Sequence, residues 1–293
     1  MADSKFEPPL TIGQCATLAC IWEATAAKPG NVYRGADFED LTYVDFLTSA
    51  TVIGPALERA REQGVGATVL AGVQATRSAV GTNTNLGILL LLAPLAAQQP
   101  DERLADILAS LSAEDTKRVY EAIRLAKPGG LGKVDAADVR AEPPAGLSLI
   151  NSMQLAADRD LVAKQYTNGF ADVHWLADRI ETFENSGEPF SGAIVRGYLE
   201  LLSREPDSLI ARKCGLSVAQ EVGSRAAAVL ERQGQDKEAF EGAIADFDFY
   251  LRSDGHRLSP GTTADLVAAA LFVLLRDGRI GFPLRYYPCD TIS

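Results

Sequence analysis

Polar loops between apolar segments hold the residues that could do chemistry. The first loop, residues 28–40, brings together two cations and three carboxylates: Lys28, Arg34, Asp37, Glu39 and Asp40. Such a mixture can bind a phosphate through Mg²⁺, because this ion takes one or two carboxylates and completes its shell with phosphate oxygens and water. The loop therefore favours a metal-assisted phosphate site, although a solvated turn with incidental ion pairs explains it equally well.

A second polar segment, residues 81–87, lies between two apolar stretches and holds four small polar side chains. They are Thr82, Asn83, Thr84 and Asn85. Burying such groups without hydrogen bonds would cost about 1 to 3 kcal/mol each, so they either cap the next helix or line a polar cavity. Asn85 is well placed as an N-cap. Helix capping accounts for one of the four polar residues, so the other three favour a polar cavity.

Two further loops precede predicted helices. Asp207 is typical of a helix N-cap, and Arg212 follows five residues later; this arrangement is more often structural than functional. Thr262 and Asp265 resemble a capping box at the start of another helix. The backbone N–H groups of that helix start, together with Gly261, could also hold an anion.

Several familiar chemistries lack their sequence patterns. Residues 128–134 have the wrong spacing for a phosphate-binding loop and follow no strand, and the G-x-G-x-x-G and G-x-S-x-G motifs are missing. The chain has two histidines, and its four cysteines form no C-x-x-C pair, so a zinc site is not expected. His256 lies in a loop and could act as a base, although a lone loop histidine is more often a surface residue.

Apolar residues recur at helical spacing, so the sequence predicts an all-α, single compact domain over 1–293, with peripheral tails at 1–9 and 288–293. The stretches 67–79 and 86–98 are apolar nearly all round and are predicted as the central, buried helices. Strand-like alternation is confined to 284–287. The other predicted helices span 11–27, 42–64, 105–112, 113–126, 149–165, 170–185, 189–204, 207–213, 217–233, 237–252 and 262–276.

Charge and hydropathy narrow the range of partners. The 28 Lys and Arg residues face 39 Asp and Glu, a formal net charge of −11, and an acidic surface repels nucleic acids and anionic membranes. The longest apolar run, 88–97, is far shorter than the roughly 20 residues that span a bilayer. The first residues lack the apolar core of a secretion signal. These features predict a cytoplasmic protein that acts on small molecules.

Taken in order, five segments resemble the triphosphoribosyl-dephospho-CoA synthase family over nearly the whole chain. They are Glu23 with Lys28-Pro-Gly-Asn-Val, Gly35-Ala-Asp with the acids that follow, Gly81-Thr-Asn-Thr-Asn-Leu-Gly, Asp207-Ser-Leu-Ile-Ala-Arg, and Ser259-Pro-Gly-Thr-Thr-Ala-Asp-Leu. The resemblance implies an all-α transferase that moves a triphosphoribosyl group from ATP to a ribose hydroxyl of dephospho-CoA and releases adenine.

The resemblance also implies roles for the loop residues. Glycosyl transfer at C1 of the ATP ribose needs a cation clamp on the triphosphate, a base for the acceptor hydroxyl and help for the leaving adenine. The implied catalytic residues are Glu23, Asp207 and Asp265, the last two as base or second metal ligands. The implied substrate-binding residues are Lys28 and Arg34 on phosphate, Asn83 and Asn85 on ribose or phosphate, and Asn31, Thr82 and Arg212. The implied cofactor is Mg²⁺, held by Asp37, Glu39 and Asp40.

Two departures from the family pattern bear on the substrates. The family typically shows Asn-Thr-His-Lys-Gly where this chain has Asn-Thr-Asn85-Leu86-Gly, and a histidine before its acidic residue where this chain has Asp37. Two cations and a titratable group are therefore missing from the expected polyphosphate site. The donor or the acceptor could differ, for example with the ribitol arm of a methanopterin-type carrier as the acceptor. A Mg²⁺-dependent hydrolase of nucleotide or ribosyl bonds and a non-catalytic helical binding protein stay open as alternatives, and the apolar helices leave room for a homodimer interface.

Overall fold

A computed structural model describes residues 10–99, 101–129, 139–233 and 236–287, and in these residues the chain folds into fifteen helices without a β-strand. The prediction of an all-α fold is confirmed. The division into domains stays a prediction, and the tails predicted at 1–9 and 288–293 lie outside the described residues. The helices are α1 (Ile12–Thr25), α2 (Tyr43–Glu58), α3 (Ala60–Gln63), α4 (Val65–Val80), α5 (Leu86–Ala97), α6 (Leu104–Ala109), α7 (Ala113–Ala126), α8 (Leu149–Ala156), α9 (Leu161–Asn168), α10 (Ala171–Asn185), α11 (Phe190–Arg204), α12 (Ser208–Cys214), α13 (Leu216–Arg232), α14 (Lys237–Arg252) and α15 (Gly261–Arg276).

The centre of the fold is formed by α5 and α15. Eleven of the twelve residues of α5 and thirteen of the sixteen residues of α15 are buried, and α15 contacts α1, α5, α9, α10, α11 and α12. The prediction that 67–79 forms a second fully buried helix is wrong, because α4 buries one face and exposes Gln74, Ser78 and Ala79. An apolar composition alone did not distinguish a helix that is covered on one side from one that is covered on all sides.

Helix ends follow the capping chemistry of the sequence in most places. Thr42 and Asp45 form the predicted capping box at the start of α2. Residues 149–165, predicted as one helix, form α8 and α9 instead, because the Asp160 side chain caps a new helix by accepting from Val162 and Ala163. The break between α8 and α9 matters for function, since its residues line the cavity described below.

Residues 26–42 form an irregular segment that α14 holds in place. The backbone N–H of Gly30 donates to Asp248 Oδ1 at 2.7 Å, and Arg252 donates to the carbonyl oxygen of Asn31. Gly30 adopts φ = 76°, and a Cβ atom there would meet Leu251, so the close approach of this segment to α14 requires glycine.

The segment 284–287 forms no strand, although the carbonyl oxygens of Arg285 and Tyr286 accept backbone hydrogen bonds from Phe190 and Ser191. In the described part of the chain, no helix has both the length and the apolar character needed to cross a bilayer.

Candidate functional site

A cavity of about 1250 Å³ opens where the N-terminal ends of α5, α9, α12 and α15 come together, with α1, α7 and α8 completing its walls. Helix N-termini carry unpaired N–H groups and a partial positive charge, which favours anionic ligands. Eight of the thirteen site residues predicted from the sequence line this cavity: Glu23, Asn31, Asp40, Thr82, Asn83, Asn85, Arg212 and Asp265. The other five, Lys28, Arg34, Asp37, Glu39 and Asp207, do not.

Asp265 lies in the first turn of α15 and lines the cavity. Its carboxylate packs against the Cα of Gly87 at the start of α5, and it makes no hydrogen bond or ion pair with any residue that the structure describes. Burial raises the pKa of Asp265 well above its ordinary value, and the negative charges of Glu23 and Asp207 raise it further. The predicted capping box with Thr262 does not form, so this carboxyl group is available to a ligand.

Glu23 and Lys28 form a buried ion pair beside Asp265. The Lys28 Nζ to Glu23 Oε1 distance is 2.9 Å, and the lysine is 0% exposed. The ammonium group also donates to the backbone carbonyl oxygens of Glu23 and Ala26. All three of its protons therefore have protein acceptors. The geometry gives no support to the predicted contact between Lys28 and phosphate, whereas Glu23 does reach the cavity wall.

The polar segment 82–85 contributes two different asparagines. Asn83 Oδ1, rather than Asn85, accepts from the backbone N–H of Leu86 at the start of α5. Asn85 is buried, and its Oδ1 accepts from Thr76 at 3.1 Å. Its Nδ2 group has no hydrogen-bond partner within the described residues. A buried amide without a partner is costly, so Asn85 is a candidate donor to a bound ligand, as the sequence predicted for ribose or phosphate.

Asp207 has a structural role. Its Oδ1 accepts from the backbone N–H groups of Leu209 and Ile210, and its Oδ2 accepts from the backbone and side chain of Thr263. The residue is 0% exposed, and burial raises its pKa. Asp207 thus joins the starts of α12 and α15, and its carboxylate offers no accessible oxygen for the predicted role as base or metal ligand.

The acids of the first loop do not gather into the predicted Mg²⁺ site. Arg34, Asp37 and Glu39 are exposed and outside the cavity, and Asp37 accepts from the backbone N–H of Tyr43 at 2.6 Å. Asp40 lines the cavity but pairs with His256 Nδ1 at 3.2 Å. Across the described ranges, no three His, Cys, Asp or Glu side chains lie close enough together to hold a metal ion. The predicted ligand set therefore does not fit a resident Mg²⁺ ion.

Three cations of α9 and α12 line the cavity, and the sequence analysis predicted only one of them. Arg212 pairs with Asp160, while its buried Nε has no hydrogen-bond partner in the part of the chain covered by the structure. Lys213 donates to the carbonyl oxygen of His256 at 3.2 Å, and burial lowers its pKa. Lys164 pairs with Glu205 at 2.9 Å. The adjacency of Lys213 to Arg212 was a usable signal, whereas nothing in the local sequence distinguishes Lys164.

The family model for ATP:dephospho-CoA triphosphoribosyl transferase (CitG) matches residues 9–282. The chain belongs to this family. A crystal structure of a protein from Archaeoglobus fulgidus, provisionally described as a triphosphoribosyl-dephospho-CoA synthase, is similar to it with 26% sequence identity and a TM-score of 0.60, covering 79% of this chain and 99% of the other. Comparison with curated protein sequences gave no match.

Membership of the triphosphoribosyl transferase family makes this chain an enzyme that transfers a ribosyl group from ATP to dephospho-CoA. The departure at Asn85-Leu86 has a structural consequence in this context. Leu86 is 7% exposed at the start of α5, so an apolar side chain stands where the family places a cation. The cavity's positive side chains therefore come from α9 and α12 and from Arg159 in the segment between α8 and α9.

Proposed function

We propose that the cavity is the active site, in which the triphosphoribosyl group of ATP is transferred to a hydroxyl of dephospho-CoA. The hydroxyl oxygen bonds to C1 as the bond from C1 to adenine breaks, and the proton that the hydroxyl loses balances the proton that adenine gains. The observation that carries this proposal is the position of Asp265, a carboxyl group that has no hydrogen-bond or ion-pair partner among the described residues and lies in a cavity lined by cations and other polar groups. The volume of about 1250 Å³ exceeds the roughly 300 to 1000 Å³ of a pocket for one drug-sized ligand. Two nucleotide substrates therefore have room to meet there.

The polyphosphate of ATP is placed on the α9 and α12 side. Lys213 donates to a carbonyl oxygen rather than to a carboxylate, so its positive charge can pair with a phosphate without breaking an ion pair. The unpaired Nε of Arg212 can donate to the same group, and charge-assisted hydrogen bonds of this kind are the stronger ones. Asn85, which precedes α5 in the cavity wall, would donate its Nδ2 group to ribose or phosphate.

Asp265 is placed at the leaving group. As the bond between C1 and adenine breaks, the base nitrogen gains negative charge and needs a proton. The pKa of Asp265 is raised by burial and by the negative charges of Glu23 and Asp207, which favours the protonated carboxyl group, so the environment suits an acid rather than the base predicted from the sequence. Glu23 lies on the same wall, where its negative charge opposes ionisation of Asp265 and would favour the positive charge that develops on the ribose.

Mg²⁺ remains part of the proposal only as an ion that accompanies the ATP polyphosphate. When bound there it would neutralise phosphate charge. Since Asp37 and Glu39 do not face the cavity, we assign no step to the ion. A homodimer and a cytoplasmic location stay predictions.

The test is incubation with ATP, Mg²⁺ and dephospho-CoA, with adenine release and the mass of the product as readouts. We expect one adenine for each modified dephospho-CoA. Asp265→Asn should lower kcat by about 100-fold or more, whereas Asp246→Asn, a matched change on the exposed side of α14, should leave kcat unchanged. Adenine release without an acceptor would indicate hydrolysis, and wild-type kcat in Asp265→Asn would refute its role.

A further inference from the structure

The cavity has an apolar wing, formed by one side of α7 and one side of α8. It comprises Val119, Tyr120, Ile123, Leu149, Ser152 and Met153. The α8 members are spaced three and four residues apart, which places them on one helical face. Val119, Tyr120 and Leu149 are at most 1% exposed and support the wing from behind, whereas Ile123 and Ser152 are partly exposed and can contact a ligand. The catalytic roles proposed above use none of these residues.

The apolar wing carries no charge among its described residues, in contrast to the rest of the cavity. The charged side chains that line the cavity belong to α1, α9, α12, α15 and the connecting segments, and they include Glu23, Lys164, Lys213 and Asp265. The site is therefore divided into a charged half and an uncharged half. A ligand that fills both halves must itself have a charged part and an uncharged part.

A single pair of hydroxyl groups interrupts the apolar surface of the wing. Tyr120 Oη and Ser152 Oγ lie 2.8 Å apart, and Tyr120 is 1% exposed. A hydroxyl can both donate and accept, so the Ser152 hydroxyl beside Tyr120 suits an amide, which presents one N–H and one carbonyl oxygen.

An exposed leucine extends the apolar surface of the wing. Leu155, three residues after Ser152 on α8, is 50% exposed and lines the cavity. Ile123 of α7 is partly exposed and lines it as well. Apolar side chains that remain exposed together around a pocket are typical of a binding site.

We propose that the apolar wing binds the pantetheine arm of dephospho-CoA. This inference rests on the proposed function, because it uses the same cavity and the same acceptor. Dephospho-CoA consists of an adenosine diphosphate unit joined to an uncharged arm with two amides, a dimethyl-substituted carbon and a terminal thiol. The adenosine diphosphate unit suits the charged half of the cavity. The arm matches the wing in its lack of charge, its apolar carbon chain and its need for amide hydrogen bonds.

The wing would then select the acceptor. ADP carries the same ribose hydroxyls and diphosphate as dephospho-CoA and lacks only the pantetheine arm. Contacts in the charged half cannot distinguish the two, so discrimination has to come from the wing. Selection by the wing would thereby prevent transfer of the ribosyl group to ADP.

The closing experiment compares dephospho-CoA with ADP as acceptors, with adenine release as readout. The wild-type enzyme should prefer dephospho-CoA by at least tenfold in kcat/KM. Leu155→Glu, which changes an exposed residue and should not impair folding, is expected to raise the KM for dephospho-CoA by about tenfold. Its KM for ATP and its activity with ADP should not change. Phe249→Glu, an equally drastic change at a residue that is 79% exposed on α14, is the control.

Free pantetheine provides a second measurement that needs no variant. It should inhibit the wild-type enzyme competitively with dephospho-CoA and not with ATP, and Ser152→Ala should weaken this inhibition. If the wild-type enzyme releases no adenine with any acceptor, the proposed function fails. If it uses dephospho-CoA but treats ADP equally, or if Leu155→Glu keeps the wild-type KM for dephospho-CoA, the assignment of the wing alone is overturned.

Discussion

The Cα atom of Gly87 lies so close to the carboxylate of Asp265 that a side chain at residue 87 would overlap the carboxylate oxygens. The two residues belong to α5 and α15, the two central helices, and both line the cavity. Glycine at this position is therefore what lets the carboxyl group of Asp265 sit at the N-terminal end of α5.

Replacing Gly87 by alanine should displace Asp265 from this position. We expect kcat to fall by about tenfold or more, because misplacement of a catalytic group by around 1 Å is costly. Unfolding free energy should change little, since alanine is the better helix former by about 1 kcal/mol and offsets part of the strain. Adenine release measures the first effect and urea unfolding the second. Gly242→Ala, where a Cβ atom meets open space within α14, should retain wild-type kcat.

The buried pair of Lys28 and Glu23 should be important for stability. Lys28→Met leaves Glu23 charged and buried without its partner, so we expect a loss of about 3 to 5 kcal/mol in the free energy of unfolding. Urea denaturation is the measurement. Arg118→Met removes the partner of Glu114 in an exposed pair and should cost at most about 1 kcal/mol. Similar losses in the two variants would contradict this account of Lys28.

Asp207 should behave as a structural residue rather than a catalytic one. In Asp207→Asn, an NH₂ group replaces one of the oxygens that accept from Leu209, Ile210 and Thr263, which should cost about 1 to 3 kcal/mol of unfolding free energy. The kcat of the folded enzyme should stay within about threefold of wild type at a temperature well below the transition. A fall in kcat as large as that of Asp265→Asn, without a loss of stability, would restore the catalytic role predicted from the sequence.

The raised pKa of Asp265 predicts how stability depends on pH. In the folded protein this carboxyl group holds its proton to a higher pH than in the unfolded chain, whose carboxyl pKa is about 4. Its contribution is therefore fully present below that value and is lost as pH rises through the folded-state pKa. Urea unfolding across this range should show Asp265→Asn gaining stability over wild type as pH rises.

Helical spacing and capping residues were enough to predict the all-α fold and most helix bounds. The Thr42 and Asp45 box formed as predicted because its partners are three residues apart. The break at Asp160 was missed because the residues on both sides of it are good helix formers, and only tertiary packing decides that a new helix starts there. The same limit applied to α4, whose exposed face depends on which neighbours cover it.

Within the site, the sequence predicted which residues lie near the cavity better than it predicted the role of each residue. The sequence predicted that Lys28 binds phosphate. Its ion-pair partner is instead Glu23, which lies five residues earlier in α1. The sequence marked Asp37, Glu39 and Asp40 as ligands because they are adjacent, although the chain turns between them and points them to different surroundings. The wing of α7 and α8 was invisible for the opposite reason, because apolar residues that line a cavity have the same periodicity as those that fill a core.

The placement of Asp265 on a helix enclosed on every side has a consequence for how this enzyme can diversify. Asp265, the group that would protonate adenine, belongs to α15, of which thirteen of sixteen residues are buried. In α8 only two of eight residues are buried. Substitutions of a few residues in that short helix could therefore change acceptor specificity and leave the charged half of the cavity unchanged. Grafting a different α8 surface onto this scaffold is thus the natural starting point for directing the same ribosyl donor to a new alcohol.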